Sequence, residues 1–155
     1  MSTKRPSGYS PLQLESLAFT DVRITAQIDA KEGGKSTTDV GFGGAPLDET
    51  HRRWQVTIQV TLGQTGEVKP FYLGAVHCVG IFFVVEEYPP EKIERLVMVN
   101  GTGMLYGAVR EMISNITSRG PWPMVNLVSQ SFIEGFERGK LKEASQASAK
   151  TITSG

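Results

Sequence analysis

Residues 118–136, SRGPWPMVNLVSQSFIEGF, constrain the fold more than any other stretch of the chain. A helical pattern runs into Arg119-Gly120 and stops, and Pro121 and Pro123 then bracket Trp122. Neither proline offers a backbone N–H, and each fixes its own φ. The residue ahead of each is pushed out of the helical region. The segment is therefore predicted to be a stiff, extended crossover. It carries large apolar side chains at Trp122, Met124, Val125 and Leu127, and a second helical pattern begins near Ser131. A connection of this kind runs either beneath another element or beside a binding groove, and which of the two it is decides the functional reading.

What precedes the crossover reads as strands. Residues 17–29 alternate, with Val22, Ile24, Ala26 and Ile28 on one side and Asp21, Arg23, Thr25, Gln27 and Asp29 on the other. Residues 31–50 are rich in glycine and polar side chains and are predicted to be a mobile or functional loop. The clearest strand follows, Trp54, Val56, Ile58, Val60 and Leu62 alternating with Arg53, Gln55, Thr57, Gln59 and Thr61. A turn around 63–67 predicts a hairpin. The run 71–87 is apolar on both faces, and Gly80 predicts a break or bulge, giving two strands or one long bent one. With two apolar faces, one covers the core and the other meets something else.

Pro89-Pro90 ends the sheet. A short helical turn is predicted over 91–99, halted by Asn100-Gly101, and a long helix over 103–118. In that helix Leu105, Val109, Met112 and Ile116 form a stripe, widened by Met104, Ala108 and Ile113. Phe132, Ile133 and Phe136 sit at helical spacing in a short final helix. Strands first and helices last predict an α+β fold: an antiparallel sheet with a long helix and a short C-terminal helix on one face. At 155 residues the chain is expected to be a single domain, with 1–12 and 140–155 disordered.

Composition excludes more than it selects. Sixteen basic and sixteen acidic residues cancel, which gives no argument for nucleic acid. No apolar run approaches the roughly 20 residues of a membrane-spanning helix, and the N-terminal stretch lacks the apolar core of a signal peptide. The single cysteine, Cys78, cannot form an internal disulfide, so a cytoplasmic location is expected.

Catalytic chemistry finds little purchase. His77 and Cys78 are neighbours on a strand and point to opposite faces; a Cys78–His51 pair requires the fold to assemble it. Two histidines and one cysteine make no zinc-ligand set, and no metal or cofactor is expected. GGKST at 33–37 lacks the leading glycine of a phosphate-binding loop, and Gly41-Phe42-Gly43-Gly44 precedes no helix. Glu86, Glu87 and Glu91 read as solvated rim charges. Phe71, Tyr72, Phe82, Phe83, Tyr88 and Trp122, by contrast, cannot all enter one core. The surplus fits either a subunit interface or an apolar groove for extended chains.

Residues 103–136 resemble the SecB protein-export chaperone family. Arg110-Glu111, Ser118-Arg119-Gly120, Trp122-Pro123, Asn126-Leu127 and Phe132 match that family's helix-and-crossover pattern, and Gly80-Ile81-Phe82 its Gly-Ile-Phe strand. The resemblance implies that the antiparallel sheet is four-stranded and that the chain forms a homotetramer built as a dimer of dimers. It also implies ATP-independent holding of unfolded or precursor proteins for export. The client groove would take in Tyr72, Phe82, Tyr106, Trp122, Met124, Val125, Leu127 and Phe136. The family also docks the SecA motor through carboxylates on its sheet. Asp21 and Leu73 match that surface, while Thr25 and Ala75 replace its other two carboxylates, and Gly107-Ala108 replace the Pro-Tyr ahead of Arg-Glu. A chaperone dedicated to one partner, such as an antitoxin, is the alternative within the family. Outside it stand a small-ligand enzyme or binding protein using His77 or Cys78 on an antiparallel sheet, and a purely structural oligomer.

Overall fold

The computed structural model describes residues 8–30 and 33–153; the expected disorder of 1–7 and 154–155 lies outside the described residues. Four strands come first: β1 (Leu12–Ala26), β2 (Thr37–Pro46), β3 (Arg53–Gly63) and β4 (Tyr72–Val84). They form one antiparallel sheet in the order β1-β4-β3-β2. A 3₁₀ turn (Pro90–Lys92), α1 (Ile93–Leu96), a π-helical turn (Val97–Gly101) and α2 (Thr102–Thr117) follow without interruption, and α3 (Ile133–Thr153) comes after the crossover. The predicted α+β architecture is therefore the one observed, with the helices on one face of the sheet.

β3 sets the register. Trp54, Val56, Ile58, Val60 and Leu62 are buried beneath the helices while Arg53, Gln55, Thr57 and Gln59 stay exposed. Burying each such aliphatic side chain stabilises by about 1.5–3 kcal/mol. A one-residue slip would exchange that row for arginine and glutamine, so the pairing is strongly specified. β4, central in the sheet, adds Tyr72, Val76, Cys78, Phe82 and Val84 to the same core. Its alternate residues, Leu73, Ala75, His77, Val79, Ile81 and Phe83, line the opposite face and are only partly covered. The helices close the core with Ile93, Val97, Met98, Leu105, Val109 and Ile113.

Several boundaries differ from the sequence reading. β1 begins at Leu12, which is buried, so the expected disorder of 1–12 does not extend to it. Register shifts between Leu14 and Ser16 and between Phe19 and Asp21 break its alternation, which hid its first half. Ile28 lies beyond the strand and is exposed rather than inward-facing. Residues 71–87 hold one continuous strand, and the bulges lie in its partner β1 rather than at Gly80.

The glycine-rich stretch 31–50 contains a strand rather than a loop. β2 carries its own alternation, Thr38, Val40, Phe42 and Gly44 facing the helices. A Cβ at 44 would lie 2.7 Å from the Met98 sulfur and 3.0 Å from the Gln55 carbonyl oxygen, so a larger residue there would have to displace that thioether.

Asn100-Gly101 does not halt the helix. Gly101 keeps helical dihedrals and packs against the Phe82 ring, so tertiary contact overrides the local stop signal. The chain accommodates the extra residue as a π turn. The buried stripe of α2 is Thr102, Leu105, Tyr106, Val109, Ile113 and Thr117, with Met112 and Ile116 half-covered and Met104 exposed. α3 is longer than the short helix expected, reaching Thr153 through a tail that sequence composition assigned to disorder. Alanine, lysine, glutamate and leucine favour helix there intrinsically. Its start docks: Phe132 and Phe136 pack on the body and Lys140 pairs with Glu94 at 2.5 Å, while Leu141 is 68% exposed.

Candidate functional site

The crossover, residues 121–131, belongs to no helix or strand, yet it is held at several points. The Trp122 ring stacks on Phe71, centroids 5.2 Å apart, and its indole N–H donates to the Gln27 carbonyl at 2.9 Å. Gln27 N–H in turn donates to the Phe71 carbonyl at 2.9 Å, so the residue just past β1 ties the Phe71 backbone to the Trp122 ring. The Tyr72 hydroxyl accepts from Trp122 N–H at 3.3 Å and lies 3.2 Å from the carbonyls of Thr117 and Trp122, to one of which it can donate. Gly120 passes so close that a Cβ there would lie 2.2 Å from that hydroxyl.

Further along, α2 supplies the partners. Thr117 Oγ1 accepts from Val125 N–H at 2.9 Å while donating to Ile113 O at 2.8 Å. Ser114 Oγ donates to the Val125 carbonyl at 3.1 Å, and the Tyr106 hydroxyl donates to the Val128 carbonyl at 2.7 Å. Tyr106 also meets Phe132 edge-on, and Phe132 meets Phe42 of β2 the same way, at centroid distances of 5.6 and 5.3 Å. Burial pushes the Tyr106 phenol above its ordinary pKa, opposed by the nearby Arg110 charge.

The crossover thus runs partly beneath and partly beside other elements. Leu127 is buried, and Trp122 and Val125 are half-buried. Met124 is 46% exposed and Val128 78%. Beyond them, Ile133 is exposed at the start of α3. An open slot of about 370 Å³ lies between β2 and α3, floored by Val40, Phe42, Met98 and Phe136 and rimmed by Glu94, Lys140 and Glu143. Hydrogen bonding to Glu94 is the main cause holding the Lys140 ammonium above its ordinary pKa. A second depression, between Phe42 and residues 129–132, joins this surface to the crossover.

The fold does not treat the eight candidate groove residues alike. Trp122, Met124, Val125 and Phe136 reach the surface around the crossover and the start of α3. Tyr72, Tyr106 and Leu127 are buried and support it from behind. Phe82 requires correction: it is wholly inside the core, packed against Gly80 and Gly101, and offers no surface. Val40, Phe42 and Met98 line the same surface without having been singled out by the sequence pattern. The alternation of Thr38, Val40 and Phe42 was the available signal, masked by the glycines around it.

Among the described residues no group of three or more His, Cys, Asp or Glu side chains is placed to hold a metal. Cys78 sits in the core opposite Ile58, where burial pushes its thiol pKa up, and His77 faces the other side of the sheet. His51 lies in the turn between β2 and β3, near Trp54, and is not brought to Cys78.

A family model described as preprotein translocase subunit SecB matches residues 24–142. The chain belongs to the SecB family. The protein-export protein SecB of Psychrobacter cryohalolentis is 28% identical over 94 residues, covering 61% of this chain and 61% of that protein. Its counterpart in Psychrobacter arcticus is 25% identical over 103 residues, covering 66% and 68%. The one in Idiomarina loihiensis is 28% identical over 94 residues, covering 61% and 56%. The chain thus spans somewhat less than two thirds of the length of the first of these relatives. A Mycobacterium tuberculosis SecB-like chaperone, solved in complex with a ChAD peptide from an antitoxin, has a TM-score of 0.55 at 17% identity, covering 78% of this chain and 91% of that one. That similarity is one of fold.

The positions compared with the SecB motor-docking surface lie on the sheet face away from the helices. Leu73 pairs with Thr25, Ala75 with Arg23, and His77 with Asp21 across β4 and β1. The Asp21 carboxylate is engaged by Arg23 at 2.9 Å.

Proposed function

We propose that this SecB-family chain is an ATP-independent chaperone that holds nonnative polypeptide along the surface formed by the crossover, β2 and the start of α3. One observation carries the reading. The segment that exposes Met124, Val128 and Ile133 also lines, through residues 129–132, a depression over Val40 and Phe42, and Val40, Phe42, Met98 and Phe136 floor the adjoining slot. Exposed apolar side chains on a segment that borders an open groove favour a binding site, and binding there is driven by burial without sequence readout. The protein-export role of the related SecB proteins supports precursor polypeptides as clients. The test is suppression of aggregation of a chemically denatured protein diluted into buffer without nucleotide. Suppression at stoichiometric chaperone supports the reading; none at tenfold excess sinks it.

A homotetrameric assembly fits the same reading. β1 is a 15-residue strand at the sheet edge, and α2 exposes Met104. Long unpaired edges are covered in stable proteins. Light scattering decides: a monomer would remove this part of the proposal.

The second reading is a chaperone dedicated to one partner. It is favoured by the loss of carboxylates at Thr25 and Ala75, and by the pairing of the remaining Asp21 with Arg23. Docking to the SecA motor would then be absent. Gel filtration with and without SecA separates the two, a stable complex supporting export and its absence supporting the dedicated form.

A further inference from the structure

Residues 121–131 face a physical problem. With two prolines and no strand or helix, their backbone cannot be fixed by an ordinary hydrogen-bond ladder. Side-chain hydroxyls take over. They meet the chain at 122 (Tyr72), at 125 (Thr117 and Ser114) and at 128 (Tyr106), one contact every three residues. Three of these groups lie on α2 in the reverse order, so the crossover runs antiparallel along that helix.

These oxygens are not explained by packing. Phenylalanine at 72 and 106 and valine at 117 would fill nearly the same volume without bringing a polar atom into the interior, where an unpaired hydroxyl is costly. Thr117 and Tyr72 are buried, and each is satisfied by crossover or helix backbone. What the oxygens add is a defined backbone position. That position sends Met124 and Val128 outward while Leu127 is buried.

We propose that Tyr72, Ser114, Thr117 and Tyr106 form a hydroxyl ladder that holds the crossover as a preformed wall of the polypeptide site, making them positioning residues for binding there. The inference rests on the function proposed above. A wall already ordered before encounter loses little conformational freedom when a partner docks, so affinity is gained without any contact from the ladder itself. Removing rungs moves that ordering cost into the binding step.

The test compares the parent with Tyr72→Phe, Thr117→Val and their combination, using reduced, carboxymethylated α-lactalbumin as the unfolded probe. Amide exchange at Val125 reports the wall directly. The combined variant is expected to exchange faster at Val125 and to bind the probe roughly tenfold more weakly, as expected for the loss of one or two net hydrogen bonds' worth of ordering. Thr117→Ser, which keeps the hydroxyl, recovers most of the affinity lost in Thr117→Val. Unchanged affinity alongside faster Val125 exchange overturns the proposal, as does unchanged exchange. If the combined variant does not fold, Tyr72→Phe and Ser114→Ala singly carry the same comparison. A parent that fails to bind the probe overturns the underlying function instead, a result separate from any effect of the ladder.

Discussion

Phe71 and Trp122 stack with ring centroids 5.2 Å apart and 27° between their planes, joining the start of β4 to the crossover. The contact fixes one end of the crossover, and the indole bond to the Gln27 carbonyl sets the rotation of the ring. Trp122→Phe keeps a ring for stacking and removes that donor, leaving the Gln27 carbonyl without it. A loss of about 1 kcal/mol in stability is expected, read from urea unfolding midpoints. Trp122→Ala also removes the stack and is expected to cost more.

Gly120→Ala places a Cβ into the Tyr72 hydroxyl, 2.2 Å away. Overpacking of this kind costs about 1–3 kcal/mol. Because the hydroxyl is the nearest atom, combining Gly120→Ala with Tyr72→Phe is expected to be less destabilising than the sum of the two changes. A double-mutant cycle by chemical denaturation measures that coupling.

Thr102 is fully buried at the end of the π turn, and its hydroxyl has no hydrogen-bond partner among the described residues. Thr102→Val removes an unsatisfied group at nearly constant shape. Stability is expected to be unchanged or raised by about 1 kcal/mol. A clear loss on thermal or urea unfolding would contradict this account of the turn.

Alkaline pH is expected to destabilise the fold through two buried acids. Burial raises the pKa of Cys78 above its ordinary 9.0 and, with Arg110 opposing, that of Tyr106 above its ordinary 10.0. The unfolded chain releases these protons at the ordinary values while the folded chain retains them. Their contribution is therefore complete below about pH 9 and declines as pH rises through the folded-state values. Urea midpoints measured from neutral to strongly alkaline pH should fall above that point. Cys78→Ala and Tyr106→Phe should each flatten part of the decline.

The strands and helices most legible in the sequence were those whose packing agrees with their local pattern. β3 alternates without fault because its two faces meet core and solvent. The crossover was legible because proline chemistry is local. β2 was not, since Gly44 answers to Met98 from a distant helix, and the surrounding glycines obscure the Val40 and Phe42 alternation. The helix through Asn100-Gly101 was not legible for a related reason: Gly101 keeps helical dihedrals in contact with the Phe82 ring, and that packing overrides the local stop signal. In the site, aromatic character identified candidates but not their depth. Phe82 belongs to the core, and Tyr72 and Tyr106 meet the crossover through their hydroxyls. Those hydroxyls acquire partners only when α2, β4 and the crossover come together, which no local spacing announces.

The central claim is that nonnative chains bind along the crossover and not on the opposite sheet face. A photo-crosslinking side chain placed at Met124 or Val128, and as a control at Gln55 on the exposed face of β3, tests it directly. With reduced, carboxymethylated α-lactalbumin bound, strong crosslinks from 124 and 128 and little from 55 are predicted. Equal yields from all three sites, or crosslinks from 55 alone, would contradict the account.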